Sequence, residues 1–139
     1  MIHVLDTSAV LAHFLDEPGA EQVESLLGGG AEHVALAAPV WTELERRLAE
    51  LTGDERETDR VFRHYTRDLC GLIVLDEVAA LAGIRIRRAC RGRLPLVDAL
   101  IAGCAAAHRA TLVHRDPHFD GIPVEHLATL RLPDKLAGD

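Results

Sequence analysis

Residues 1–15 of the chain read MIHVLDTSAVLAHFL, which is a short apolar run, one acid and then an apolar helix pattern. The apolar run before Asp6 is continuous, as it is in buried parallel strands. We expect Thr7 or Ser8 to cap a helix over residues 8–15. This stretch therefore predicts a strand that ends at a carboxylate beside a helix N-terminus, which is where open α/β sheets bind their ligands.

Strand and helix patterns alternate through the rest of the chain. Short apolar strand patterns recur at 33–37, 72–75 and 111–113, and a short edge strand is expected at 122–124. Helix patterns lie at 21–27, after Pro39 with Trp41, Leu44, Leu48 and Leu51 on the apolar face, at 56–69, from Asp76 or Glu77 to Ala89, and at 94–107. This alternation predicts an α/β fold: one domain over residues 1–139, with a mainly parallel four- to five-stranded sheet and helices on both faces.

Composition excludes several classes of protein. A 27% charged and 48% hydrophobic chain of 139 residues is typical of a globular domain, with no need for a disulfide or zinc scaffold. Apolar stretches stop short of the ~20 residues of a membrane span, and the first residues lack a signal-peptide pattern, so we expect a cytoplasmic protein. The three widely spaced cysteines, Cys70, Cys90 and Cys104, are expected to be buried free thiols.

The net charge of −7 at first argues against a nucleic-acid ligand, because phosphate binding usually needs a basic surface. If four acids bind a metal ion, however, the rest of the chain carries only −3. The basic residues are also uneven, and five arginines fall within nine residues: Arg85, Arg87, Arg88, Arg91 and Arg93. This run is either a solvated helix face or a surface that follows an RNA backbone.

Four acids stand at element boundaries or in apolar surroundings: Asp6, Glu43, Asp98 and Asp116. Asp98 is the most informative, because it is the only charged residue in the apolar helix pattern at 94–107. A buried carboxylate needs a cation or a full set of hydrogen bonds. Each acid alone has an ordinary explanation, as a helix cap, a first-turn acid, a turn residue or a surface residue. Together they predict a metal-binding acidic cluster, which indicates phosphodiester hydrolysis.

Four segments resemble, in order and spacing, the motifs of PIN-domain nucleases. They are VLDTSA at 4–9, TEL at 42–44, LVDALIA at 96–102 and LVHRDPHF at 112–119. Within that family the small size most resembles VapC-type toxins of bacterial and archaeal toxin–antitoxin pairs. The resemblance implies that Asp6, Glu43, Asp98 and Asp116 bind Mg²⁺ or Mn²⁺, with Ser8 as a polar neighbour of the first acid.

The resemblance also implies an activity and partners. It implies an endoribonuclease that hydrolyses RNA, leaving 5′-phosphate and 3′-hydroxyl ends. It implies a cognate VapB-like antitoxin that covers the site, and a homodimer. The chain departs from many relatives at His114, where they have Thr or Ser, and at His118, where they often have a fifth acid. Asp120 is a candidate substitute for that acid.

The sequence is also compatible with other functions. His114 and His118 flank Asp116, which is compatible with catalytic zinc or histidine acid–base chemistry, although no fourth ligand is evident. A phosphoacceptor or phosphatase-like α/β domain is disfavoured because the only lysine is Lys135, near the end of the chain. A binding module that has kept the fold and lost activity is disfavoured by the presence of all four acids.

Overall fold

Five parallel strands form one sheet in the computed structural model, which describes residues 2–136. The strands are β1 (His3–Leu5), β2 (Val34–Ala37), β3 (Gly71–Ile73), β4 (Thr111–His114) and β5 (Thr129–Arg131). Their order across the sheet is β3-β2-β1-β4-β5, and every neighbouring pair is parallel. Strand β1 therefore lies at the centre of the sheet, between β2 and β4.

Helices cover both faces of this sheet. Six α-helices lie within residues 2–136: α1 (Thr7–Phe14), α2 (Ala20–Leu27), α3 (Ala38–Thr52), α4 (Glu55–Arg63), α5 (Glu77–Ala89) and α6 (Leu96–Ala107). Neighbouring side chains of a strand point to opposite faces. Because Val4 and Leu5 are both fully buried, as are all four residues of β2, neither face of the central sheet reaches water. The predicted α/β fold is confirmed.

Two short helical segments extend the regular elements. A π-helix at His64–Leu69 continues α4, so that the predicted helix at 56–69 is real but changes its winding after Arg63. A 3₁₀-helix at Pro117–Gly121 follows β4.

The strand expected at 122–124 is wrong. Pro123 instead begins a turn, in which its carbonyl accepts a hydrogen bond from the backbone N of His126 at 3.0 Å. The edge strand is β5, which pairs with β4 and places Leu130 opposite Val113. Strand β3 also ends two residues earlier than expected, which leaves Val74 and Leu75 exposed.

Glycines allow helices α5 and α6 to pack at very close range. A Cβ atom built on Gly103 would lie 2.3 Å from the carbonyl oxygen of Ala79, and one on Gly83 would lie 2.8 Å from that of Ala99. Such distances are far below van der Waals contact, so both positions require glycine. This contact fixes the start of α6, and with it Asp98, against the rest of the fold.

The remaining predictions on composition have mixed outcomes. Cys70 and Cys104 are buried free thiols as expected, whereas Cys90 is only half-buried. None of the helices within residues 2–136 combines the length and apolar character needed to cross a lipid bilayer.

Candidate functional site

The four predicted acids line one cavity of about 180 Å³. Two of them follow the carboxyl ends of adjacent central strands, Asp6 after β1 and Asp116 after β4. Glu43 comes from α3 and Asp98 from the first turn of α6. The cavity thus lies where the sheet order reverses around β1, the place where α/β sheets usually bind ligands.

Asp6 is both a helix cap and a member of the acidic group. Its side chain is 4% exposed, and its Oδ1 accepts hydrogen bonds from the backbone N of Ala9 at 2.9 Å and from Ser8 Oγ at 2.7 Å. Asp6, and not Thr7 or Ser8, is therefore the N-cap of α1. The helix-cap explanation of Asp6 is confirmed, and its role as a metal ligand stays a prediction.

Ser8 connects the ends of the two central strands. Its hydroxyl donates to Asp6 and accepts a hydrogen bond from the backbone N of Arg115 at 2.9 Å. This bridge holds the segment after β1 against the segment after β4. Ser8 thereby keeps Asp6 and Asp116 in one cavity.

Glu43 is positioned by a hydrogen bond across two helices. Thr7 Oγ1, at the start of α1, donates to Glu43 Oε1 near the start of α3. Thr7 is buried and Glu43 is half-buried, so this contact is part of the packing of α1 on α3. The carboxylate of Glu43 therefore has a defined position beside the first strand.

Asp98, Asp116 and His118 form the tightest group. One potential ligand atom from each lies within 4.8 Å of the other two. His118 Nδ1 is 3.0 Å from Asp116 Oδ1 and 3.5 Å from Asp98 Oδ2. Asp6 and Glu43 stand outside this close group, although they line the same cavity. His118, where the sequence departs from the PIN pattern, thus contacts two of the four acids from an exposed position outside the cavity lining.

Burial and mutual repulsion disfavour the charged forms of two acids. The Asp98 side chain is 14% exposed, and burial followed by the charges of Asp116 and Glu43 raises its pKa to about 6, against an opposing effect of His118. Burial raises the pKa of Asp6 to about 7, although its hydrogen bonds from Ser8 and Ala9 act in the opposite direction. A cation among these carboxylates would remove the repulsion, and their oxygens are the ligand type that Mg²⁺ and Mn²⁺ prefer. The donor set fits such an ion.

His114 has a structural role in the loop. It is 1% exposed, and its Nδ1 accepts a hydrogen bond from the backbone N of Asp116 at 3.2 Å. Its ring packs on Phe119 with the centroids 5.0 Å apart, and burial lowers its pKa. Because Nδ1 is already an acceptor, His114 does not point a free ligand atom at the cavity from that side. The geometry gives no support to a zinc site built from both loop histidines.

Asp120 is not placed with the acidic group. It forms an ion pair with Arg131 on β5 and does not line the cavity. The run Arg85, Arg87, Arg88, Arg91 and Arg93 is exposed, and within residues 2–136 none of its members forms an ion pair or lines the acidic cavity. The role of this run in RNA binding stays a prediction.

The sequence reading missed the basic residues next to the acids. Arg46 and Arg47 line the acidic cavity beside Glu43. They follow Glu43 by three and four residues on one helix, and this spacing alone places them on the same face. Arg115 precedes Asp116 directly, but nothing in the sequence shows that its side chain is buried.

Comparisons with known proteins show what the chain is similar to. A profile of the PIN domain matches residues 3–125. One similar structure is VapBC2 from Rickettsia felis bound to a DNA fragment from its promoter. It has 20% sequence identity and a TM-score of 0.72, and the match covers 96% of this chain and 100% of that chain. DNA-bound VapBC from Salmonella typhimurium has 17% identity and a TM-score of 0.73, covering 94% and 98%. A toxin–antitoxin complex from Klebsiella pneumoniae has 21% identity and a TM-score of 0.68, covering 95% and 98%. No curated protein matches the chain significantly.

Proposed function

The chain belongs to the PIN domain family, and we propose that it is a metal-dependent endoribonuclease that acts as the toxin of a toxin–antitoxin pair. The observation that carries this proposal is the cavity in which Asp6, Glu43, Asp98 and Asp116 converge from four separate elements. Buried acids that repel one another are unfavourable without a cation, so a fold that assembles four of them is adapted to bind one.

Asp98 and Asp116 would hold Mg²⁺ or Mn²⁺, with Asp6 and Glu43 completing the set and His118 beside it. A divalent cation in this position supplies Lewis acidity, which lowers the pKa of a water nucleophile and neutralises charge on the phosphodiester. Attack by water on phosphorus with cleavage of the P–O3′ bond leaves a 5′-phosphate and a 3′-hydroxyl, and the ribose 2′-hydroxyl takes no part.

The protein's own hydrogen bonds orient the acids for this reaction. Ser8 and the backbone N of Ala9 hold Asp6, and Thr7 holds Glu43. These groups are fixed by the packing of α1 and α3, so little reorganisation is needed when substrate arrives. His118 contacts both Asp98 and Asp116, and in its protonated form it partly offsets their charge.

The partners follow from the same proposal. Similar structures include a toxin–antitoxin complex, which supports a cognate VapB-like antitoxin for this chain. RNA as substrate and a cytoplasmic location are supported by the resemblance to VapC-type toxins.

A homodimer is supported by an apolar surface that six side chains expose by 39–58%: Leu72, Val74, Leu75, Val78, Leu81 and Ile84. All six side chains fall within residues 72–84, and exposed apolar patches are typical of protein interfaces.

Cleavage of RNA by the purified protein tests the function. We expect cleavage with Mg²⁺ or Mn²⁺, 5′-phosphate and 3′-hydroxyl product ends, and none with excess EDTA. The variant Asp98→Asn should fold and lose cleavage by a factor of about 10² or more, because it removes a ligand charge. Cleavage that persists in EDTA would overturn the metal mechanism, and an intact wild-type protein that neither cleaves RNA nor binds Mn²⁺ would identify an inactive binding module.

A further inference from the structure

A second cavity, which we call the basic cavity, lies directly beside the acidic one. It has a volume of about 340 Å³ and shares Ser8, Leu11, Arg47 and Asp116 with the lining of the acidic cavity. Its cationic lining consists of Arg47, Arg115 and Lys135. A group that enters the acidic cavity therefore has a cationic surface next to it.

Arg115 is the most buried of these cations, and it is incompletely paired. Its side chain is 8% exposed, and Nη2 donates to Glu17 Oε1 at 2.7 Å. Nη1 is buried and has no hydrogen-bond partner within residues 2–136. A buried guanidinium donor without an acceptor lowers the stability of the folded protein. An ion pair with a purely structural role does not need such an unpaired donor.

Three acids also line the basic cavity, so its lining carries as many carboxylates as cations: Glu17, Asp116 and Asp134. Glu17 is shared between Arg115 and Lys135, whose Nζ lies 3.7 Å from Glu17 Oε2. Asp134 is paired with Arg131, which lies outside the lining. Asp116 belongs to the acidic group described above. One carboxylate thus serves two cations.

Arg47 lies between the two cavities and is also incompletely paired. Its Nε is buried without a hydrogen-bond partner in residues 2–136, and its nearest acid oxygen, Glu50 Oε2, is 3.8 Å away. This distance is longer than a hydrogen bond. Arg47 follows Glu43 by one helical turn, so its charge faces the same region as the acids.

We propose that Arg47, Arg115 and Lys135 form a phosphate subsite that holds a backbone phosphate of the RNA next to the phosphodiester being cleaved. The subsite rests on the proposed ribonuclease function. Four acids repel a polyanion even when a divalent ion offsets part of their charge, so an adjacent cationic site is needed to retain the strand. Guanidinium groups suit this ligand because their donors match the geometry of phosphate oxygens.

RNA binding without cleavage tests this subsite. The double variant Arg47→Gln/Lys135→Gln, placed in the Asp98→Asn background, leaves the Arg115–Glu17 ion pair intact. We expect it to bind a fluorescent single-stranded RNA about tenfold or more weakly by anisotropy, and to flatten the salt dependence of log Kd by about 0.7 for each cation removed. Arg56→Gln/Arg63→Gln is the charge-matched control, because both arginines are exposed on α4 and line neither cavity.

A second variant addresses Arg115 itself. Arg115→Gln leaves Glu17 with only Lys135 as a partner and is at risk of misfolding, so Arg115→Lys is preferred because it keeps a cation for Glu17. We expect unchanged thermal unfolding and weaker RNA binding. Addition of inorganic phosphate should compete with RNA on the parent protein and less on the double variant.

Failure of the subsite and failure of the proposed function give different results. RNA affinity and salt slope equal to those of the parent in the double variant and in Arg115→Lys would overturn the subsite, while metal-dependent cleavage by the wild-type protein would still support the function. Conversely, RNA binding that depends on Arg47 and Lys135, in a wild-type protein that cleaves nothing, would support the subsite and overturn the nuclease. Competition by phosphate alone, with no loss of RNA affinity in either variant, would identify a free-phosphate site and overturn the RNA assignment.

Discussion

At the scale of single residues, the charged forms of Asp6 and Asp98 are unfavourable in the metal-free folded protein. Asp98 is the clearest case, since burial and the neighbouring carboxylates raise its pKa to about 6 from an ordinary value of 3.8. A raised carboxyl pKa means that the charged form is less stable in the folded state than in the unfolded chain. The stability of the metal-free protein should therefore fall as pH rises between about 4 and about 6.

The variant Asp98→Asn should remove this cost. In EDTA at pH 8 we expect it to be more stable than wild type by on the order of 2 kcal/mol, and the difference should nearly disappear at about pH 3, where Asp98 is mostly neutral in both states. Urea unfolding at the two pH values measures this difference. Mn²⁺ should stabilise the wild type more than the variant, because only the wild type has the full ligand set. A variant that is less stable than wild type at pH 8 in EDTA would show that Asp98 is held by compensating hydrogen bonds.

Ser8 should contribute to stability as well as to the site. Ser8→Ala removes the donor to Asp6 and leaves the backbone N of Arg115 without its acceptor. We expect a loss of about 1–3 kcal/mol in the free energy of unfolding, measured by urea denaturation. Ser25→Ala, at an exposed position on α2, should change stability by less than about 0.5 kcal/mol. Equal midpoints for the two variants would mean that the Ser8 bridge contributes nothing.

The sequence identified the acids of the site better than their neighbours. Asp98 could be singled out because a lone charge in an apolar helix is visible in the sequence, and Asp6 because it ends a strand. The burial of His114 and the pairing of Asp120 with Arg131 could not be foreseen, because both depend on packing against β5 and the 3₁₀-helix. The cationic role of Arg115 was missed for the same reason: its partner Glu17 is 98 residues away in the sequence.

At the scale of whole elements, the contact between α5 and α6 places Asp98. Gly103→Ala should destabilise the protein by about 1–3 kcal/mol or more, because its Cβ would lie 2.3 Å from a backbone oxygen of α5. Thermal unfolding measures the effect. In Gly28→Ala the new Cβ would lie 3.4 Å from the carbonyl oxygen of Ser25, so that variant is the matched control and should be close to wild type. A Gly103→Ala protein as stable as the control would mean that the two helices separate without cost.

Element prediction succeeded where apolar periodicity is strong and failed at the sheet edges. The central strands and α6 are nearly continuous apolar runs, and their positions were predicted to within two residues. Strand β5 reads Thr-Leu-Arg and is largely exposed, so it has no apolar pattern to detect. The apolar residues at 122–124 predict an edge strand instead, although Pro123 begins a turn there.

At the scale of the whole molecule, the apolar surface at residues 72–84 should mediate self-association. Leu81 is 48% exposed on that surface, and Leu51, which lies on the separate helix α3, is 43% exposed. We expect wild type to sediment as a dimer in analytical ultracentrifugation, Leu81→Glu to shift it towards monomer, and Leu51→Glu to leave it unchanged, because a charge opposes burial only within an interface. A wild-type protein that is monomeric at concentrations of about 10⁻⁴ M would contradict the homodimer.

Two glutamates on α3 distinguish metal-dependent RNA cleavage by the acids of the cavity from a general effect of charge. Glu43 lines the cavity, whereas Glu45 is exposed two residues further along the same helix. The measurement is the single-turnover rate of RNA cleavage against Mn²⁺ concentration for Glu43→Gln and Glu45→Gln, which change the charge equally. We predict that Glu43→Gln lowers the rate by a factor of about 10² or needs far more Mn²⁺, while Glu45→Gln behaves as wild type. Equal rates and equal Mn²⁺ dependence for the two variants would show that Glu43 and its cavity do not take part in the cleavage.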